Sequence, residues 1–346
     1  MSDVALSVLD LAPVAEGSTP SQALENALDL AQHVERLGYG RVWVAEHHNM
    51  PGIASSSPPV LIAHLAAGTE RIRLGSGGVM LPNHAPLVVA EQFGMLEALH
   101  PGRIDLGLGR APGTDGLTAA ALRRSRDPFS NEDDFPGQLE QLRGFLRGEL
   151  PREHPLHRIT AVPNNGYEPA IWLLGSSGFS AQLAGELGLP FSFAHHFSGE
   201  HTVPAVDLYR ASFKPSEVLQ RPYVMLGTAI VAADDDAEAE FLNGPNVLQF
   251  LRLRQGRPGL LPTPEEAERA LRDPGAQSFA ESRRKTQIVG GPDTVRRGIE
   301  ELLARTNADE LMVTSVVHDH EKRRRSYELV ADVVGLAPRE LGTARA

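Results

Sequence analysis

The sequence predicts an α/β protein folded as a (β/α)8 TIM barrel, one domain over residues 1–346. Three observations carry that expectation. Eight short apolar, β-branched runs alternate with helical patterns, the signature of a parallel sheet. Eight such units in 346 residues suit a closed barrel, whereas open doubly wound sheets more often carry about five or six strands. The two stretches outside the repeat, 110–136 and 234–285, each follow a strand, where a barrel places lids and binding loops.

Residues 4–11 (VALSVLDL) read as strand one. Residues 19–38 read as a helix, with Thr19 as N-cap, Pro20 at its first position and Gly38 as its stop. Strand two is 41–45, with a helix at 58–67; strand three is 71–76, with a helix at 85–99. Strand four is 103–108, and after the polar loop residues 138–146 are helical. Strand five (170–174) leads to a helix at 180–187, and strand six (191–194) to one near 204–212. Strand seven (223–231) precedes the long insertion, after which 292–304 is a helix. Strand eight (310–314) and a helix at 322–334 close the repeat.

Composition bounds the function. A formal charge of −11 argues against nucleic acid, which requires a basic stripe. Cysteine is absent, which removes disulfides, a thiolate nucleophile and zinc–thiolate sites. The opening MSDVALSVLDLAP lacks the basic flank and long apolar core of a signal peptide, and no apolar run approaches the ~20 residues of a membrane span. A cytoplasmic protein without a membrane partner is expected.

Barrel chemistry is assembled at the C-terminal ends of strands. Here those ends supply Asp10, the run Glu46-His47-His48-Asn49, Gly77-Gly78, Gly109-Arg110, Gly175-Ser176-Ser177-Gly178, His195-His196 and Ser315. The strand, Gly/Ser turn and helix start in LLGSSGFS place backbone N–H groups and hydroxyls where an anion binds, although Ser177 or Ser180 could simply cap the helix. Arg110, one strand away, could close a grip on phosphate or form a surface salt bridge. Three glycines in RLGSGG mark a bulge, a kink or a close ligand approach. Adjacent histidines on a strand point to opposite faces, so one of His47 and His48 looks into the barrel mouth. That parity and the histidine-free first strand argue against a metallohydrolase, and no metal is expected. Asp10, His48, Asn49, His195 and His196 are candidates for a substrate pocket.

In this order and spacing, ERLGYGRVWVAEHHN, RLGSGGVMLPNHAPLVVAEQFGMLEALHPGRIDLGLGRAPGTD, LLGSSGFSAQLAGELGLPFSFAHHF and VGGPDTVRRGIEELLARTNADELMV resemble the bacterial luciferase family of flavin-dependent monooxygenases, and within it a non-luminescent subgroup. The resemblance covers nearly the whole chain. It implies a barrel that binds reduced FMN, supplied by a separate NAD(P)H-dependent flavin reductase, and uses a flavin hydroperoxide formed with O2 to oxidise a small organic substrate. It implies that His47 is the catalytic acid–base group at the flavin's reactive face. Gly77, Gly78 and Val79 would run against the ring, often with a non-proline cis peptide. Arg110, Ser176, Ser177, Gly178 and Ser180 would hold the phosphate. It also implies a homodimer paired through the helices after strands two and three, whose small and apolar residues permit close approach. The segment 234–285 is the candidate lid.

Two departures stand out. The reactive cysteine of true luciferases is replaced by Gly109, which weighs against luminescence more than against flavin binding. A second phosphate-binding arginine has no clear counterpart, because the acidic NEDDFP occupies its region; Arg123 or Arg124 are the available substitutes. A deazaflavin-dependent hydride transferase on the same barrel, and a flavin-binding protein without turnover, are the alternative readings.

Overall fold

The computed structural model describes residues 4–111, 113–122, 134–163 and 166–337. Its strands are β1 (Ala5–Asp10), β2 (Arg41–Val44), β3 (Arg73–Met80), β4 (Ile104–Gly109), β5 (Ala170–Gly175), β6 (Phe191–Phe193), β7 (Val224–Ala232), β8 (Gln287–Gly290) and β9 (Glu310–Thr314). All pair in parallel. Strands β1 to β7 follow one another around the sheet, and β9 joins β7 back to β1. The result is the closed eight-stranded barrel that the alternation predicts.

The helices are α1 (Pro20–Leu37), α2 (Pro58–Ala67), α3 (Pro86–Leu99), α4 (Gly116–Leu122), α5 (Phe135–Arg147), α6 (Gly178–Leu187), α7 (Thr202–Ser212), α8 (Asp236–Arg254), α9 (Pro264–Ala270), α10 (Pro274–Arg284), α11 (Pro292–Thr306) and α12 (His320–Val334). Helix α1 shows why these segments start and stop where they do. Thr19 and Gln22 form a reciprocal capping box, Pro20 occupies the first turn, and Gly38 closes the helix at φ 95°.

The expected insertion after the seventh strand is more ordered than its composition suggests. It contains α8, α9 and α10 and is followed at once by β8, a strand that the alternation does not predict. The nine-residue β7 carries β9 along one edge, at Met225–Ala229, while its other edge pairs first with β6 at Val224–Leu226 and then with β8 at Ala229–Ala232. Strand three also runs further than expected, through to Met80, with a register shift between Gly77 and Val79 where the glycines predict a bulge.

The barrel interior is filled from the bottom up. At the N-terminal end, Arg41 bridges two buried carboxylates, donating to Asp105 at 2.7 Å and to Glu310 at 2.8 Å. Asp105 also accepts from Arg73 and the Trp43 indole, and Glu310 from Ser7 and Tyr223. Above this polar floor lies an apolar plug of Leu9, Trp43, Trp172, Met225 and Met312. Trp43 and Trp172 meet edge to face at 5.3 Å. The plug leaves one open end, the rim where the strands terminate.

Candidate active site

A cavity of about 350 Å³ opens at that rim, within the range of roughly 300–1,000 Å³ typical of small-molecule sites. Leu9, Trp43 and Met312 of the plug form its base, and Phe250, Leu253 and Pro258 of the insertion cover it. Its other walls are the ends of the strands.

The end of β2 carries the most ordered polar group. Glu46 is buried and accepts from His84 Nε2 at 2.9 Å, His48 Nε2 at 3.0 Å and the Met80 N–H at 3.0 Å. Burial alone would raise its pKa; the bonds and charge from His84, with those from His48 and Met80, outweigh it and hold the carboxyl below its usual range. Glu46 thereby ties the ends of β2 and β3 together. His47, like Glu46, lines the cavity. Its Nδ1 is 3.1 Å from the Gly113 carbonyl, an acceptor only, so Nδ1 carries the proton and Nε2 holds the free lone pair. Burial pushes the His47 pKa below its ordinary value, with Gly113 and Glu46 offsetting part of the drop. The ring is thus a neutral base of fixed tautomer.

His48 does not line the cavity, because its ring is committed to Glu46. Asn49 turns outward in the left-handed region, φ 55°, and bonds Asp115 at 3.0 Å. Asp10 also stands apart from the cavity. Leu9 takes the inward position on β1, and Asp10 faces outward, fully buried, accepting from Arg323 at 2.6 Å and from the Ala12 N–H at 2.7 Å.

Gly77 and Gly78 line the cavity, and the peptide between them is cis. A Cβ on Gly77 would sit 2.7 Å from Leu9 Cδ1, and one on Gly78 2.5 Å from Leu174 Cδ1 and 2.8 Å from the Gly107 carbonyl. The bare backbone is therefore required by packing and also leaves a flat surface for a ring. The Val79 side chain packs in the outer core and is not part of the cavity wall, so this residue could meet a ring only through its backbone.

A third wall is suited to an anion. Ser177 is the N-cap of α6 yet makes no side-chain capping bond, so simple capping does not account for the serines. Ser176, Ser177 and Ser180 all line the cavity. Gly178 begins the helix behind them, its Cα facing Leu208, and does not itself line the wall. Arg110 lies across from this turn, its guanidinium 4.4 Å from the Phe179 ring centre; among the described residues no carboxylate pairs with it. Arg123 and Arg124 lie outside the described residues. Gly109 is backed by Met80, whose Cε would be 2.7 Å from a Cβ there, so a cysteine at this position would require Met80 to move.

The two histidines after β6 separate. His196 lines the cavity and donates from Nδ1 to the Gly227 carbonyl at 2.7 Å; burial pushes its pKa down to about 4. His195 is turned away to Thr202, 2.8 Å from its hydroxyl, and is not part of the wall. The insertion contributes residues that strand ends do not reveal: Phe250, Gln249 and Arg283. Among the described residues no group of three or more His, Asp or Glu is arranged to hold a metal, and no helix is long and apolar enough to cross a membrane.

A neutral histidine, a flat glycine segment and a helix N-terminus without a side-chain cap therefore converge on one apolar cavity. Residues 4–310 match the family of luciferase-like monooxygenases. The chain belongs to that family. It is 47% identical over 330 residues to a luciferase-like monooxygenase of Escherichia coli strain K12, covering 95% of this chain and 97% of that one. It is 35% identical over 340 residues to the N-acetyl-S-alkylcysteine monooxygenase of Bacillus subtilis strain 168, covering 97% and 100%. Among solved structures, apo-MsnO8 matches with a TM-score of 0.88 at 42% identity, covering 97% of this chain and 100% of that one. At lower identity the fold recurs in two further proteins. One is the oxygenating constituent of 3,6-diketocamphane monooxygenase from Pseudomonas putida in complex with FMN (TM-score 0.70, 20% identity, 95% and 98% covered). The other is an F420-dependent secondary alcohol dehydrogenase (TM-score 0.68, 14% identity, 96% and 99% covered). As a luciferase-like monooxygenase family member, the chain thus shares its fold with proteins that use either cofactor.

Proposed function

We propose that the protein is a reduced-FMN-dependent monooxygenase acting on a small organic substrate with O2. One oxygen atom enters the substrate and the other leaves as water, with two electrons taken from reduced FMN. The observation that carries the reading is the neutral His47, its Nδ1 held on the Gly113 carbonyl, lining the same cavity as the Gly77–Gly78 surface and the start of α6, which has no side-chain cap. These residues fit the cofactor: the glycine segment leaves room for the ring, and the serine turn with Arg110 offers donors and charge to its phosphate. When bound, the flavin supplies the oxygen-activating chemistry, and the protein supplies position and shielding. His47 moves a proton at Nε2 while Gly113 keeps the tautomer. The α8–α10 cover excludes water from the reaction space. Reduced FMN comes from a separate NAD(P)H-dependent flavin reductase, by diffusion or transient contact. The name of the Bacillus subtilis relative adds thioether acids to the substrates to be tested.

The test is oxygen consumption with chemically reduced FMN against aldehydes, ketones, aromatic compounds and S-alkylcysteine derivatives. Substrate-dependent uptake of one O2 per oxygenated product is expected. Binding of a deazaflavin in preference to FMN, with no oxygen uptake, would overturn the reading. Arg110→Ala should weaken FMN by about 1.5–3 kcal/mol, the contribution of a charged hydrogen bond, and riboflavin much less. Equal losses for the two flavins would place Arg110 away from the phosphate.

The same proposal includes a homodimer through α2 and α3. Leu99 is 65% exposed, Val60 69% and Met95 54%, large apolar side chains that a second copy would cover. Sedimentation at micromolar concentration should show a dimer that Leu99→Asp with Met95→Asp converts to monomer. A monomeric parent protein would refute this.

A further inference from the structure

Arg283, near the end of α10, is buried without a carboxylate partner among the described residues. It is 9% exposed and lines the cavity. Its Nη1 donates to the His196 carbonyl at 2.9 Å, but its Nε is buried and unbonded. Among the described residues no carboxylate lies within ion-pair distance of it. Its guanidinium instead lies 4.3 Å over the Phe250 ring. Phe250 also stacks with Phe197 at 6.3 Å and with Phe279 at 6.2 Å. Arg254 adds a second cation, 5.6 Å from the centre of Phe250.

A buried, unpaired guanidinium is costly, and cation–π contact recovers only part of what water and a counter-ion would give. Burial and Arg254 push its pKa down, yet an arginine stays charged at neutral pH. Among the described residues the charge therefore lacks an anion. The phosphate of FMN, on the proposed function above, already has the start of α6 and Arg110. What remains is the substrate. Arg283, His196 and His47 line the same cavity, so a group held at Arg283 belongs to the same reaction space.

We propose that Arg283 binds a carboxylate on the organic substrate, whose apolar body packs on Phe197 and Phe250. The substrate class is then a small carboxylic acid with an apolar or aromatic remainder. The planar fork of the guanidinium donates paired hydrogen bonds to a carboxylate through the nitrogens not used on His196. This rests on the monooxygenase reading for the identity of the site. The binding claim can be tested without turnover.

The experiment is calorimetric binding to the FMN-loaded protein of phenylacetate, 3-(benzylthio)propanoate and octanoate, each beside its primary amide. At least one acid should bind about 10–100-fold more tightly than its amide, the range of a charged hydrogen bond. Arg283→Met should abolish that preference while leaving amide binding and the FMN-to-riboflavin affinity ratio unchanged. Arg283→Lys, which keeps the charge but not the fork, should retain part of it and serves if the methionine variant folds poorly. If Arg283 only ties α10 to β6, its substitution changes melting temperature but not the acid-to-amide ratio, and the proposal fails. It fails too if no acid outbinds its amide in the parent protein, or if Arg283→Met weakens FMN more than riboflavin, which would assign the guanidinium to the phosphate. Acid preference without oxygen uptake would sink the monooxygenase reading and leave the carboxylate site standing.

Discussion

Replacing His47 with alanine is expected to leave reduced-FMN binding within about tenfold and to cut coupled turnover by ~10²–10⁴-fold, the range of a general acid–base group. More of the oxygen consumed should then appear as hydrogen peroxide. The geometry explains the split. The ring bonds the Gly113 carbonyl through Nδ1 and takes no part in the serine turn or the glycine surface, so its loss removes a base and little binding. The pH dependence follows from the lowered pKa. The base is neutral and competent above about 6.5, the ordinary imidazole value, and becomes protonated only as the pH falls through its depressed folded value. Coupling should therefore be flat above that point and decline on the acid side. His48→Ala removes a donor to Glu46 and should cost stability with a smaller effect on coupling. Peroxide formed per oxygen consumed decides the matter. A fully coupled His47→Ala beside an uncoupled His48→Ala would reverse the assignment.

Local rules account for most of what the sequence predicts correctly. The capped α1, the alternation of strands and helices and the strand-end glycines are all short-range patterns, and each recurs in the fold. The same rules, applied more strictly, would have set Asp10 aside. Leu9 faces the cavity, so its strand neighbour cannot, and Asp10 instead meets Arg323 from the last helix. Asn49 carried no comparable signal, because a left-handed turn after a strand is not specified by parity. His84 shows a different limit. It lies 38 residues beyond Glu46 and reaches it only because β3 pairs with β2. Arg283 and Phe250 belong to an insertion whose placement over the rim is a matter of helix packing. Four residues, QIVG, are too few for a periodic signal, and β8 exists because the end of β7 offers it a free edge.

The largest stability effect is expected at the opposite end of the barrel. Arg41→Met should destabilise the fold by about 3–5 kcal/mol, the cost of removing one partner from a buried ion pair. Burial by itself would depress the Arg41 pKa, but Asp105 and Glu310 reverse that and hold it above its ordinary value, so the cation is paid for by both carboxylates. Without it, Asp105 keeps Arg73 and the Trp43 indole, while among the described residues Glu310 keeps the hydroxyls of Ser7 and Tyr223 alone. Glu310 is 1% exposed and cannot recruit water to replace the lost charge. The penalty should therefore fall chiefly on Glu310. Adding Glu310→Gln to Arg41→Met should recover a substantial part of the loss, whereas adding Asp105→Asn should recover less. Urea unfolding of the parent, the single variant and the two double variants measures this. The apolar plug separates the floor from the cavity, so oxygen coupling in the folded Arg41→Met protein should match the parent. A loss below about 1 kcal/mol, the level of an exposed pair, would show that the floor does not depend on this cation.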